Sequence, residues 1–314
     1  MDPLKILLKM VRGVEKGIIT PESLSLGGVL ETEIAAAFIT LVIEQSGFLK
    51  KITTKKTGKI KSAFKMLDVA GEAMVRVPQG QEPTAGQLAE HQRIDVKFDN
   101  LAAQIFYSLT FDDIRDNQAD PEFESKMEQM FALTYSNDLC RLGFRGIDDD
   151  YAASAWNKLN EGWNQVAKND CPIGQLIDTN GVTAICDRFD DMIDAMPDKY
   201  LQQGITTFVL APKDCRDWVK EMISDGHDVL AMAKVTGTLP AYMGYPVIEE
   251  VQQIPGEHTF SKLTNYWMTI FAEIERYREV SGRRRSVDYT LNQSNDYGFG
   301  NAAAVVHAFD QGGT

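Results

Sequence analysis

The sequence of 314 residues predicts an α+β fold, and three observations support this prediction. A long amphipathic helix is indicated over 120–143, where apolar residues recur at steps of three and four. Before it, residues 51–97 contain short β-like pieces separated by glycine and proline, with too little apolar surface for a core of their own. After it, a series of strand, helix and strand within 178–262 is typical of a compact α/β lobe.

The first 50 residues are predicted to form an arm. It starts as a short amphipathic helix, turns at Gly27 and Gly28, and continues as a second short helix in ETEIAAAFITLVIEQSGFL. Lys5 and Lys9 interrupt the apolar residues at the start, so the segment lacks the unbroken apolar core of a secretory signal. The most apolar run, 34–43, is shorter than the roughly 20 residues that a membrane span needs. We therefore expect no membrane partner.

The segment 51–97 is predicted to be a long two-stranded excursion with a strongly basic start. Seven lysines lie between Glu44 and Asp68 with no acidic residue among them, although the whole chain has a net charge of −13. These lysines are Lys50, Lys51, Lys55, Lys56, Lys59, Lys61 and Lys65. The acidic total argues against a protein that coats nucleic acid, whereas the uneven distribution predicts complementary surfaces between copies of the chain.

The long helix has the expected signals at both ends. Asp120 suits the N-cap, Pro121 the first helical position, and Glu122 and Glu124 the positive end of the helix dipole. Gly143 is predicted to end the helix. About 22 residues at about 1.5 Å each span roughly 33 Å, enough for a strut along a domain. Its apolar stripe consists of Phe123, Met127, Met130, Phe131, Tyr135, Leu139 and Leu142.

The spacing of apolar residues predicts the helices and strands of the lobe and of the closing segment. Amphipathic helices are predicted at 181–196 and 213–224, and strands at 206–210 and 245–251.

Residues 267–280 then alternate as a strand, Ser281 and Gly282 turn the chain, and 287–291 alternate on the return. This predicts a long hairpin whose tip carries Arg283, Arg284 and Arg285.

No motif predicts an enzyme. Residues 298–303 match the GxGxxA form of a dinucleotide loop, but too little chain follows for a βαβ unit. The TGKIKS phrase around Gly58 lacks the upstream glycine of a phosphate loop. We assign Asp148–Asp150 and the acidic residues between 187 and 194 to solvated faces rather than to cation sites. The four acids of the second group are Asp187, Asp190, Asp191 and Asp194.

The histidines and cysteines also lack a functional pattern. No ligand or general-base setting surrounds any histidine, so surface or satisfied core positions are expected for His91, His227, His258 and His307. The cysteines are far apart, without metal-ligand spacing, and reduced cytoplasmic thiols are expected for Cys140, Cys171, Cys186 and Cys215. We predict no cofactor and no metal.

Five phrases, taken in order, resemble the major capsid protein family of tailed bacteriophages, which has the Hong Kong 97 capsid fold. They are GGVLETEIAAAFITLVIEQSGFLK (27–50), DPEFESKMEQMFALTYSNDLCRLGFRGI (120–147), TTFVLAPKDCRDWVKEM (206–222), LPAYMGYPVIEEVQQIP (239–255) and RRRSVDYTLNQSNDYGFGNAAAVV (283–306). The similarity spans nearly the whole chain and rests on order, lengths and phrases together. The phrase NEGWNQVAKND also resembles a segment of capsid proteins from contractile-tailed phages.

The resemblance implies a division of the chain. It comprises an N-terminal arm at 1–50, an extended loop at 51–97, a first part of a peripheral domain at 98–175 with its spine helix at 121–142, an axial domain at 176–262, and a second peripheral part with the C-terminus at 263–314. The implied function is that of a major capsid protein without enzymatic activity. Copies would form the pentamers and hexamers of an icosahedral shell that encloses double-stranded DNA without sequence-specific binding.

The resemblance also implies a place and partners. The protein is expected in the virion capsid after assembly in the host cytoplasm, with separate scaffolding, portal and decoration proteins as further partners. Because the sequence begins at Met1 without a long helical prodomain, we expect a separate scaffolding protein, or none.

Some relatives form a covalent Lys to Asn crosslink. The candidates here would be Lys55 or Lys56 with Asn292 or Asn295, and we do not expect this crosslink.

The predicted assembly interface consists of basic side chains: Lys55, Lys56, Lys59, Lys61, Arg283, Arg284 and Arg285. Lysines of the excursion would meet acids of an adjacent subunit, and the arginines would bind a neighbour's carboxylates. Two other interpretations remain open. One is the shell protein of a cellular nanocompartment, which holds cargo enzymes instead of DNA; the other is a nucleic-acid-binding module that uses the basic loop.

Overall fold

A computed structural model of the chain describes most of its residues. The described ranges are 28–29, 32–70, 76–82, 84, 90–116, 123–148, 155–182, 184–224 and 239–312. The predicted N-terminal amphipathic helix, the helix cap at Asp120 and Pro121, and His227 lie outside these ranges. Within them, no helix is long and apolar enough to cross a bilayer.

The described part contains thirteen strands and six α-helices. The strands are β1 (Gly28–Val29), β2 (Thr53–Thr57), β3 (Lys61–Ala70), β4 (Glu90–Asp99), β5 (Leu101–Thr110), β6 (Leu176–Asp178), β7 (Thr206–Leu210), β8 (Val247–Glu249), β9 (His258–Lys262), β10 (Tyr266–Phe271), β11 (Glu275–Ser281), β12 (Ser286–Phe299) and β13 (Val305–Phe309). The helices are α1 (Thr32–Gln45), α2 (Phe111–Asp116), α3 (Phe123–Arg145), α4 (Trp163–Asp170), α5 (Ile185–Ala195) and α6 (Pro212–Ser224).

A six-stranded sheet is built around β12. Strands β10 and β11 pair antiparallel with successive parts of β12, and β5 pairs with its other edge. Strand β2 lies parallel to β10, and β1 extends the sheet beyond β11. The predicted closing hairpin is therefore confirmed, but its first strand is interrupted at 272–274. There the Ala272 N–H bonds to the Thr57 carbonyl, and the Ile274 side chain is fully buried.

The basic excursion forms a two-stranded antiparallel ribbon, as predicted. Strands β3 and β4 pair over ten residues each, from Lys61 opposite Asp99 to Ala70 opposite Glu90. At about 3.3 Å per residue the ribbon is roughly 30 Å long. Its apolar side at the root carries Phe64 and Phe98, which pack edge to face.

The long helix is confirmed as α3, but its predicted C-terminus was wrong. The helix continues to Arg145, and Gly143 lies inside it. A Cβ atom on Gly143 would overlap the ring of Trp163, so this glycine permits close packing rather than a cap. The buried side of the helix includes Tyr135, Leu139 and Leu142, whereas Met130 of the predicted stripe is 54% exposed.

A five-stranded sheet forms the second half of the molecule, in the order β6, β13, β9, β7, β8. The strand at 206–210 is as predicted. Helix α5 starts later than predicted because Gly181, at φ +81, belongs to a turn. Strand β8 is shorter than predicted because Tyr245 closes a tight turn with Tyr242.

The C-terminal strand lies in the five-stranded sheet and not in the six-stranded one. Strand β13 pairs with β6 on one side and β9 on the other, and Val305, Val306 and Ala308 have no exposed surface. The resemblance implies that 263–314 belongs as a whole to the peripheral part, whereas β13 is a strand of the lobe's own sheet. Two buried cores accordingly divide the molecule, one around α3 and β12, and the other between α5, α6 and the five-stranded sheet.

Candidate assembly surface

The turn between β2 and β3 is held by a buried asparagine. Asn100, only 1% exposed, donates from its side-chain amide to the carbonyl of Ile60 at 2.9 Å, and its backbone N–H donates to the same carbonyl at 3.0 Å. Its side-chain oxygen accepts a bond of 2.7 Å from Thr269, and the hydroxyl of Thr57 donates to the Lys59 carbonyl. These hydrogen bonds therefore restrain residues 58–60, which are exposed.

Two of the predicted interface lysines are bound within their own subunit. The Lys55 ammonium group lies 5.0 Å from the ring centroid of Trp267 and 5.9 Å from that of Phe64, in cation–π geometry. The Lys56 ammonium group donates to the Ala36 carbonyl at 3.2 Å and to the Thr40 hydroxyl at 3.4 Å, both on α1. Partial burial lowers the pKa of Lys56.

The other two lysines differ from each other. Lys61 forms an ion pair of 2.6 Å with Asp99 across the ribbon, although its side chain is 81% exposed. The Lys59 ammonium group has no hydrogen-bond or ion-pair partner among the residues that the structure describes. Of the four predicted lysines, Lys59 is thus the one whose charge is available to another molecule.

The arginines at the hairpin tip also differ in whether they are paired within their own subunit. Arg284 pairs with Asp288 at 3.4 Å, and Arg285 pairs with Asp112 at 3.3 Å. Arg285 adopts φ +51, and its carbonyl accepts a bond from the N–H of Phe111 at the start of α2. Arg283 makes no ion pair with any described residue. Arg284 and Arg285 each contact one carboxylate of their own subunit. The bidentate contacts to a neighbour's carboxylates stay a prediction.

A cleft of about 520 Å³ opens at the root of the ribbon. Its charged lining consists of Lys61, Lys97, Asp99, Glu161 and Asp296. One Asp296 oxygen accepts the Asp99 N–H at 2.7 Å, and the other accepts the Tyr297 N–H at 2.8 Å. Burial, together with the Asp99 and Glu161 carboxylates, nevertheless raises the pKa of Asp296 to about 7.

The two glycines of the dinucleotide-like phrase form the platform on which the ribbon lies. A Cβ atom on Gly298 would be 2.9 Å from the Phe98 ring, and one on Gly300 would be 2.7 Å from Trp267 Nε1 and 3.0 Å from Met66 Sδ. The spacing of these glycines reflects the close approach of aromatic side chains. It has no relation to phosphate binding.

The two buried histidines are core residues, as predicted, but their ring nitrogens are not all satisfied, because His258 Nδ1 has no hydrogen-bond partner among the described residues. Asp214 lies 3.2 Å from His258, and this contact and the Gly256 N–H lower the pKa of Asp214 although burial opposes ionisation. Burial lowers the pKa of His307, which contacts Thr259 at 3.1 Å and Glu257 at 3.4 Å. That arrangement resembles a catalytic triad in order only, because Thr259 and His307 have at most 1% exposed surface and no substrate could reach them.

The cysteines are unreactive, and the described part shows no metal site. Burial raises the pKa of all four cysteine thiols to about 12, so they are poor nucleophiles. No group of three or more His, Cys, Asp or Glu side chains is arranged there to hold a metal ion. Asn295, a crosslink candidate, is only 1% exposed, and Asn292 donates to Glu275.

Sequence reasoning missed an exposed aromatic surface on the six-stranded sheet. Phe106 on β5 and Tyr277 on β11 both lie opposite Thr290 of β12, so the three form one row across the sheet. Phe106 is 70% exposed and Tyr277 is 38% exposed. The alternation in LAAQIFYSLT is weak, since aromatic residues occupy both faces, and this hid the strand and its exposed ring.

Several solved structures from phages and capsid particles have a similar fold. A chain from the procapsid of satellite phage P4, which includes the size determination (Sid) protein, gives a TM-score of 0.68 at 12% identity, covering 87% of this chain and 98% of that chain. A chain of Mycobacterium phage Ogopogo gives 0.55 at 9% identity, covering 85% and 92%. The capsid of an empty GTA particle gives 0.53 at 14% identity, covering 96% and 97%. No protein-family model matches the sequence, and no curated protein is significantly similar to it.

These likenesses show the fold of the chain. The chain has the Hong Kong 97 type capsid fold, with the ribbon, the long helix, the lobe and the closing hairpin in the order that the sequence predicts.

Proposed function

We propose that this chain is the major capsid protein of a tailed bacteriophage, which self-assembles into an icosahedral shell around packaged double-stranded DNA. The supporting observation is the fold match over 87% of the chain to 98% of a phage procapsid chain, because so complete a match leaves little of either chain for another role. The protein acts mechanically and has no enzymatic activity in this proposal.

The chemistry of the structure is consistent with such a role. The histidines and cysteines that could suggest catalysis are buried or bonded, whereas Lys59 and Arg283, which form no ion pair with a described residue, lie on exposed turns. A net charge of −13 disfavours tight binding of DNA by the shell wall, which suits a container that must release its genome.

The proposal extends to the domains and the partners. The ribbon and its flanks form the extended loop at 51–97, residues around α3 form the peripheral domain, and 176–262 form the axial domain together with β13. Copies of the chain meet as pentamers and hexamers in the host cytoplasm, and separate scaffolding, portal and decoration proteins complete the virion.

Electron microscopy of the full-length protein tests this function. The chain is expressed alone and together with the proteins encoded beside it, and purified particles are examined by negative staining. We expect closed icosahedral particles of uniform diameter, or such particles only with a co-expressed scaffolding protein. A small oligomer under every condition, with DNA affinity that falls steeply with salt, would instead support a nucleic-acid-binding module.

The contents of native particles separate the phage shell from a nanocompartment. Nuclease-protected double-stranded DNA of uniform length is expected for the phage shell. A protein cargo bound to the inner wall, without protected DNA, would contradict the phage assignment while leaving the shell function intact.

A further inference from the structure

The exposed aromatic row has an acidic border. Glu275 and Glu279 lie two residues on either side of Tyr277 on β11, so all three belong to the same face of the sheet. Glu275 accepts hydrogen bonds from Tyr277 and Asn292, whereas the Glu279 carboxylate has no partner among the described residues. We call this surface, formed by Phe106, Thr290, Tyr277, Glu275 and Glu279, the aromatic face.

An exposed phenylalanine at one end of the aromatic row indicates a binding surface. Phe106 is 70% exposed, and a phenylalanine side chain that leaves water contributes a large part of the stability of an interface. The opposite face of the same sheet packs on α3, where Tyr107 stacks on Phe131. The aromatic row therefore lies on the face that points away from this core.

The turn at residues 58–60 is apolar and basic, and these properties complement those of the aromatic face, which is aromatic and acidic. Ile60 is 53% exposed and stands between Lys59 and Lys61. Among the exposed aliphatic side chains that the structure describes, it is the one with a lysine on both sides. Asn100 fixes the turn before any contact forms, which reduces the entropy that binding would otherwise cost. We call residues 58–61 the Ile60 turn.

We propose that the Ile60 turn of one copy docks on the aromatic face of a neighbouring copy, with Ile60 against Phe106 and Lys59 beside Glu279. This inference rests on the proposed shell function and names a contact within it. The unpaired ammonium group of Lys59 and the unpaired carboxylate of Glu279 make the two surfaces complementary in charge as well as in apolar character. Because two different surfaces of the chain meet, the contact is heterologous, and such contacts repeat from copy to copy around a ring.

Crosslinking of mixed subunits tests this contact in assembled particles. Ile60→Cys chains and Phe106→Cys chains are assembled together and treated with a short bis-maleimide. We expect dimers on a denaturing gel from the mixture and none from either variant alone. Wild-type chains control for the native thiols. Ile173→Cys mixed with Phe106→Cys is the matched control, because Ile173 is 89% exposed and lies next to Pro172 and Gly174 instead of lysines.

Charge reversal gives an independent measurement. Lys59→Glu should raise the concentration needed for assembly about tenfold, and adding Glu279→Lys to the same chain should restore it, since the pair is then reversed. If the cysteine variants fail to assemble, rescue by Glu279→Lys supports the contact and absence of rescue contradicts it. Normal particles without the crosslink would overturn the contact and leave the shell function standing. Failure of the wild-type chain to form particles under every condition would overturn both.

Discussion

Asp296 is a carboxylate under the root of the ribbon whose protonation is linked to folding. Its pKa is raised to about 7 from an ordinary 3.8, because burial disfavours the charged form and the Asp99 and Glu161 carboxylates add repulsion to it. Between pH about 4 and 7 the folded protein therefore holds a proton that the unfolded chain has released. The free energy of unfolding must fall as the pH rises through this window, and this group adds no further change above it.

Asp296→Asn tests this linkage. We expect the wild-type subunit to lose roughly 2 to 4 kcal/mol of unfolding free energy between pH 4.5 and 7.5 from this group, and the variant to lack that part of the slope. Urea unfolding of the unassembled subunit at several pH values measures it. Asp191→Asn, which removes an exposed carboxylate on α5, is the control and should keep the wild-type slope. Parallel slopes for wild type and Asp296→Asn would contradict the assignment.

At this scale the sequence identifies residue types better than their contacts. The sequence predicts Lys55 and Lys56 as interface residues. In the structure, however, Lys55 lies over the ring of Trp267 and Lys56 donates a hydrogen bond to α1. Both partners are distant in sequence or on another element, so periodicity carries no information about them. Lys59 differs from them because no described residue forms a hydrogen bond or an ion pair with its ammonium group.

The ribbon as an element depends on the two glycines beneath it. Replacing Gly298 and Gly300 by alanine would place Cβ atoms 2.9 Å from Phe98 and 2.7 Å from Trp267, closer than these atoms can pack. The aromatic side chains must then move, and overpacking of this kind typically costs about 1–3 kcal/mol. The root of the ribbon is the part that can yield, because only two strands hold it.

Hydrogen exchange of the double alanine variant measures this effect. We expect amides of β3 and β4 near the root to exchange about tenfold faster or more, while amides of β7 in the other sheet keep their protection. Gly282→Ala is the matched control, since a Cβ atom there would meet nothing within 4 Å. Unchanged exchange in β3 and β4 would show that the glycines do not position the ribbon.

Elements with strong local signals were predicted well. The apolar run TTFVL forms a strand with the predicted bounds, and the predicted long helix is present as α3 with 23 residues. The end of α3 was misplaced because Gly143 has two possible roles, a helix cap or a site of close packing. Only the position of Trp163, twenty residues later, decides between them.

The five-stranded half of the molecule is completed by the last described strand, β13. Strand β13 lies between β6 and β9, and Val306 and Ala308 complete the core of the five-stranded half. No local pattern in 301–312 reveals this, because the strand pairs with residues more than 40 positions earlier. A boundary drawn after Lys262 therefore cuts the lobe from a strand inside its own sheet.

Isolated fragments of the lobe test this architecture. Residues 176–262 alone should show no cooperative thermal transition, since removing β13 leaves the edges of β6 and β9 unpaired and their apolar side chains in water. Strands β9 and β13 are antiparallel, with Ser261 opposite Val305, so a linker of about four residues can join 262 to 303 as a hairpin. The joined fragment should melt cooperatively, and the same fragment with Val306→Asp should not, because Val306 is fully buried. Calorimetry follows the melting of each fragment. If 176–262 melts cooperatively without β13, the lobe does not need this strand to fold.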